Sequence, residues 1–161
     1  MIYFMRHGDV FTNSNNKKMS VAEASQKISL SELGKKQIRN VVLPKNLDII
    51  VISDSRRTKE TAEILLESNN ISIPVQVEAE LHPWNSGADD WNTYWKRYCD
   101  FITHYNNESS YESKDSMKKR VSSVISKYSN RNVLIIAHSI LLATYLGENF
   151  LHCAELIPVQ R

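Results

Sequence analysis

Cysteine is scarce in this chain of 161 residues: Cys99 and Cys153 lie far apart and in no CxxC pair, which excludes a disulfide framework and a cysteine zinc site. A reduced, cytoplasmic setting is expected. Glycine and proline number only four each, too few for a collagen-like, linker-rich or low-complexity chain. Long apolar runs are missing, and a membrane helix needs about 20 such residues. The start has no basic region followed by an apolar stretch and a small-residue cleavage site, so Met1 is expected to begin the mature chain, with no membrane partner. Neither sign of charge dominates: twenty Lys plus Arg face eighteen Asp plus Glu, and the basic residues fall in scattered groups such as Lys17-Lys18 and Arg56-Arg57. That is no footprint for nucleic acid. The length predicts one domain over residues 1–161, able to bury on the order of 70% of its unfolded surface without a staple.

What is present alternates. Four short apolar runs read as strands covered on both faces: Ile2 to Met5, Asp48 to Ser53, Ile73 to Val77 and Val133 to Ala137. Helical spacing fills the gaps. Leu33, Ile38, Val41 and Val42 predict a helix capped by Ser31 or Ser29, and Thr58, Thr61, Ala62, Leu65 and Leu66 predict a second, beginning near Asp54 or Ser55. Trp91, Tyr94, Trp95, Tyr98, Ile102 and Tyr105 form an aromatic stripe, read as core. Met117, Val121, Val124, Ile125 and Tyr128 form another stripe, Leu141, Leu142, Tyr145, Leu146 and Phe150 an amphipathic last helix, and Glu155 to Val159 a closing strand. Phe11 to Ser20 reads as a mobile surface loop, and Asn106 to Ser116 as a helix-helix connection. The order β, α, β, α, β, α, α, β, α implies an α/β three-layer sandwich, its mostly parallel central sheet flanked by helices and its ligand site beyond the carboxyl ends of the strands.

Three strand ends carry chemistry. The first runs into Arg6-His7-Gly8, the second into Ser53-Asp54-Ser55-Arg56-Arg57, and the fourth into His138-Ser139. In a parallel sheet Arg6, His7, Arg57 and His138 converge on one crevice, and gathering such cations is costly unless an anion binds there. Phosphate fits, because guanidinium forks grip phosphoryl oxygens and a helix N-terminus adds N–H donors. Gly8, without a Cβ, lets backbone approach the bound group. No GxSxG elbow or GxxxxGK loop is present and neither cysteine lies at a strand end, which leaves His7 as the nucleophile.

The strings MRHGDV, SLSELGKKQ at Ser29 to Gln37, SDSRRTKETAEIL at Ser53 to Leu65 and IIAHS at Ile135 to Ser139 resemble, in order and spacing, the histidine phosphatase (phosphoglycerate mutase-like) superfamily. The resemblance covers most of the chain. It implies a phosphoglycerate mutase-like fold, His7 as the phosphorylated nucleophile, Arg6 and Arg57 as phosphate ligands, and His138, protonated, as a second phosphoryl-binding histidine. Asn13 falls where many members place an Asn on the phosphate, and Glu80, with Glu78 as rival, where members acting on alkyl phosphates keep their proton donor. Ser139 stands where the family often has Gly, and Asp9 where Glu is common.

The resulting expectation is a metal-independent, cofactor-free phosphatase, shorter than the family's mutases. It would act on a phosphorylated small molecule, held near Trp84, Trp91 and Trp95, or on a phosphohistidine protein. Alternatives are a non-catalytic phosphate-binding or regulatory domain, a phosphoglycerate-type mutase, and an interaction module built on the aromatic stripe.

Overall fold

The computed structural model describes residues 1–104 and 111–159, so Tyr105 of the aromatic stripe and residues 106–110 of the expected helix-helix connection lie outside the described residues. A five-stranded sheet runs through the centre in the order β3-β2-β4-β1-β5, built from β1 (Ile2–Arg6), β2 (Ile49–Ile52), β3 (Val75–Val77), β4 (Val133–Ala137) and β5 (Leu156–Val159). β1 to β4 are parallel, and β5 closes the sheet antiparallel to β1.

Residues of β1, β2 and β4 alternate between two cores, as the pleat requires. Ile2, Phe4, Ile49, Val51, Val133 and Ile135 face α4 (Trp91–His104), α5 (Lys114–Lys127) and α6 (Ser139–Tyr145). Met5, Ile50, Ile52, Leu134 and Ile136 face α2 (Glu32–Arg39) and α3 (Arg56–Ser68). This is the expected α/β sandwich of three layers. Among the described residues, no helix is long and apolar enough to cross a membrane.

Several elements differ from expectation. A helix absent from the sequence reading, α1 (Val21–Lys27), follows the Phe11 to Ser20 stretch, with the Ser20 hydroxyl accepting the Glu23 N–H. The Ser20-x-x-Glu23 spacing was its signal. That stretch itself carries a 3-10 turn at Asn16–Lys18, and the Met19 carbonyl accepts the Trp91 N–H. Ser31 caps α2, yet Leu33 faces solvent and Val42 lies past the helix end, also exposed, because Ile38 and Gly34 supply the buried face. β3 is not a covered strand. It has only three residues at the sheet edge, with Val75 and Val77 exposed. α6 is buried through Thr144 instead of amphipathic, and it stops at Tyr145 before the left-handed Gly147 and Glu148, so Leu146 and Phe150 fall outside it.

Candidate active site

Parallel register aligns the chemistry. Arg6 pairs with Ala137 across β1 and β4, and Ile52 with Ile136 across β2 and β4, so His7, Ser53 and His138 leave the sheet side by side. Arg57 joins them from the first turn of α3. All four of these side chains are buried.

The His7 Nδ1–H donates to its neighbour's carbonyl, Gly8 O, at 2.7 Å, which leaves the Nε2 lone pair facing the crevice, where Arg57 Nε donates to it at 3.3 Å. Burial, then Arg57, then Arg6 push the His7 pKa well below its ordinary 6.5, against a smaller opposing effect of the Gly8 hydrogen bond. The ring is neutral at neutral pH. Arg57 Nη2 donates to His138 Nδ1 at 3.2 Å, so the His138 proton sits on Nε2 and is donated to Ser53 Oγ at 2.8 Å. Burial first and Arg57 second also depress His138. With Nδ1 accepting from a guanidinium, the His138 ring in this geometry is neutral, whereas the protonated His138 that the resemblance implies belongs to the phosphoryl-transfer step. The two imidazoles lie 5.3 Å apart, centroid to centroid.

The guanidiniums are left partly unsatisfied. Arg6 Nη1 donates to Leu151 O at 3.1 Å, but Arg6 Nε and Arg57 Nη1 are buried with no hydrogen-bond partner. Among the described residues, neither arginine has a carboxylate within ion-pair distance. Buried Arg57 and part-buried Arg6 thus each keep one buried N–H donor without a partner.

Of the remaining expected residues, Ser139 lines the crevice at the start of α6. Gly8 acts differently from expectation: a Cβ there would meet Ile38 Cδ1 at 2.7 Å and Gly34 O at 3.0 Å, so the absent side chain admits α2 and not a ligand. Its carbonyl fixes His7. Asn13 is exposed and caps its own turn, Oδ1 accepting from Asn15 N at 3.0 Å, and it does not line the crevice. Glu80 lies in a 3-10 turn at Ala79–Leu81, 3.9 Å from Lys127 Nζ and also outside the crevice lining. Glu78 is held by Tyr128 Oη and Lys127 Nζ, both at 2.8 Å; burial pushes its pKa up, but these two donors outweigh it and keep the carboxyl below its ordinary value.

Of the three tryptophans expected near the substrate, Trp91 and Trp95 line the crevice together with Tyr94 and Tyr98, so the stripe read as core also walls the site, whereas Trp84 is a core ring against Phe101. Asp9 lines it too, accepting the Ser31 hydroxyl at 2.6 Å. So does Cys153, contrary to the reading that neither cysteine reaches a strand end; β5 runs antiparallel, so the segment entering it sits where β1 leaves the sheet. Burial pushes the Cys153 thiol up, away from a reactive thiolate. Among the described residues, no group of three or more His, Cys, Asp or Glu is placed to hold a metal ion.

Comparison with known proteins gives the family and the fold. A sequence model of the histidine phosphatase superfamily (branch 1) matches residues 2–152. The uncharacterized phosphatase PhoE of Bacillus subtilis (strain 168) is 28% identical over 151 residues, which span 91% of this chain and 76% of that protein. Among solved structures, mycobacterial hydrolase 1 aligns with a TM-score of 0.70 at 19% identity, over 96% of this chain and 88% of its own. YhfR of Bacillus stearothermophilus aligns with a TM-score of 0.66 at 23% identity, over 91% and 77%.

Proposed function

The chain belongs to the histidine phosphatase superfamily, and on that premise we propose that it is a metal-independent phosphatase acting on phosphomonoesters through a phosphohistidine on His7. The observation that carries this reading is the pair of buried, unpartnered guanidinium nitrogens, Arg6 Nε and Arg57 Nη1, with a neutral imidazole whose Nε2 lone pair faces the crevice. A buried donor without a partner costs about 1–3 kcal/mol, and a phosphoryl dianion removes that cost at both arginines. A site built only to bind phosphate needs the cations but not an oriented neutral imidazole.

In the first step the His7 Nε2 lone pair forms a bond to phosphorus as the ester P–O bond breaks and its electron pair leaves with oxygen. Arg57 shifts its Nε–H from the ring to an equatorial oxygen, and Arg6 and His138 hold the others. Gly8 O keeps the Nδ1 proton and gains strength as the ring becomes cationic. Water then attacks phosphorus, the N–P bond breaks, and its electron pair returns to Nε2. Glu78 is engaged by Lys127 and Tyr128 and Glu80 lies outside the crevice lining, so Asp9 is the carboxylate at the crevice among the described residues, and leaving groups that depart as weakly basic anions need no acid.

The test is acid-labile, base-stable phosphoenzyme trapped from an activated aryl phosphate without added metal. Wild type should label and release phosphate, and His7→Ala should do neither while still binding vanadate. Turnover retained in His7→Ala would overturn the nucleophile. Silence of the wild type on every ester, with phosphate still bound, would favour the non-catalytic binding domain.

A further inference from the structure

Resting on the phosphatase reading, we infer that the aromatic wall of α4 is a stacking subsite for the leaving group, and that the substrate is a phosphomonoester whose alcohol carries a flat, uncharged aromatic ring. Three observations converge on it.

The first is continuity: the crevice lined by Arg6, His7, Arg57 and His138 is lined also by Trp91, Tyr94, Trp95 and Tyr98. The wall begins at the phosphate site, with Arg57 Cζ 6.0 Å from the Trp91 ring centroid, and Trp95 lies 6.5 Å beyond Trp91.

The second is ring geometry. Residues spaced i, i+3, i+4 and i+7 share a face of α4. Trp91 stacks on Tyr94 at 4.9 Å and 12°, and Trp95 on Tyr98 at 4.9 Å and 10°. Trp91 and Tyr94 are almost wholly buried, but Trp95 keeps 48% of its surface exposed although one of its faces is stacked on Tyr98. An array held near-parallel by its neighbours offers a further flat ring a preformed site with little ordering cost.

The third is charge. Arg6 and Arg57 are the only Lys or Arg side chains among the described residues lining the crevice; besides the two imidazoles, the other ionisable groups there are Asp9, the Cys153 thiol and the Tyr94 and Tyr98 hydroxyls. A second anionic group on the leaving alcohol, as in a phosphoglycerate, would meet aromatic faces and a carboxylate. That pairing excludes by repulsion and desolvation what the stacking wall does not attract. The Tyr94 hydroxyl, pushed up to about 12 by burial, stays neutral and adds no charge.

The experiment uses phosphonates, which bind but are not hydrolysed, so it does not depend on turnover. Affinities of methylphosphonate, phenylphosphonate and 3-phosphonopropionate are measured by calorimetry on the wild type, Trp95→Ala and Trp95→Phe. Phenylphosphonate should bind about tenfold tighter than methylphosphonate, the scale of one aromatic stack, and 3-phosphonopropionate no tighter than methylphosphonate. Trp95→Ala should bring phenylphosphonate to within about twofold of methylphosphonate without weakening the latter, and Trp95→Phe should keep most of the preference. Equal binding of the phenyl and methyl compounds by the wild type, a preference for the dianionic acid, or an equal loss of all three in Trp95→Ala would overturn the subsite. Failure of all three to bind the wild type would instead overturn the phosphate site itself.

Discussion

Two buried imidazoles held neutral make a quantitative claim about acid stability. In the unfolded chain each ring has the ordinary pKa of 6.5, whereas in the native site burial and Arg57 hold both well below it. Above 6.5 neither state binds the proton, and the rings contribute nothing pH-dependent. Below it the unfolded chain gains protons that the native site refuses, so stability falls as pH falls from 6.5 toward the folded pKa. Between pH 7 and pH 5 the ceiling is about 2 kcal/mol per ring, about 4 kcal/mol for the pair, reached when neither native ring takes a proton. Carboxylates do not confuse this window: Glu78 and Glu112 have lowered pKa values, so the stability they lend is present above the ordinary carboxylate range and is lost only below it. The assay is urea unfolding in phosphate-free buffer at the two pH values, on wild type and on His7→Gln and His138→Gln, each of which should remove about half of the pH-dependent loss. A wild-type loss under about 1 kcal/mol, or an unchanged loss in both variants, would refute the neutral-imidazole reading.

Three further outcomes follow from contacts at the site. Arg57→Lys keeps the charge but not the fork that reaches His7, His138 and the anion together, and steady-state kinetics should show kcat/KM lowered by about a hundredfold or more; a loss under tenfold would contradict the bridging role. Glu80→Gln should leave aryl phosphate turnover within about threefold, since the carboxylate sits by Lys127, and a loss of about a hundredfold would restore it as the proton donor. Ser53→Ala removes the acceptor of the His138 Nε2 proton inside a buried hydroxyl cluster with Ser55 and Thr58; kcat should fall about tenfold with inorganic phosphate inhibition little changed, and equal loss in both would mark a merely structural role.

The parts of the fold and site legible in the sequence are those that a parallel sheet converts directly into position. Apolar runs mark strands, strands align at their carboxyl ends, and Arg6, His7 and His138 are simply the next residues, with Arg57 one helical turn away. Loop side chains carry no such rule. Asn13 and Glu80 were placed by spacing alone, but the direction in which a loop side chain points depends on its local partners, here the Asn15 N–H and Lys127. The aromatic stripe gave the face of α4 but not how that face divides: Trp91 and Tyr94 belong both to the core and to the crevice wall, and Trp95 lines the crevice while largely exposed. Hydroxyls have no periodic signal at all, and so Ser53 escaped notice until the His138 proton needed an acceptor. The edge position of β3 was hidden for another reason, since a short apolar run reads alike whether one face or both are covered.

The neutral His138 of this geometry bears on how the site divides its labour. The guanidinium of Arg57 donates to both imidazoles and keeps Nη1 for a third partner, so the group that holds protons off the rings also faces the phosphoryl position. A bound dianion competes for those same N–H donors and cancels part of the positive potential that depresses both rings. Its arrival therefore raises the proton affinity of the pair, which titrates as a unit at this separation. His7 is least able to respond, because its Nε2 is the atom that meets phosphorus. His138 is free to respond, since losing the Arg57 hydrogen bond opens Nδ1 to a proton while Nε2–H stays on Ser53. On the proposed mechanism a neutral nucleophile and a cationic transition-state ligand arise from two rings that begin alike, with the bound anion supplying the difference. Histidine-labelled NMR reads this directly: phosphate or vanadate should shift the His138 resonance toward the protonated form at pH 6.5, and a resonance unmoved by saturating anion would sink the idea.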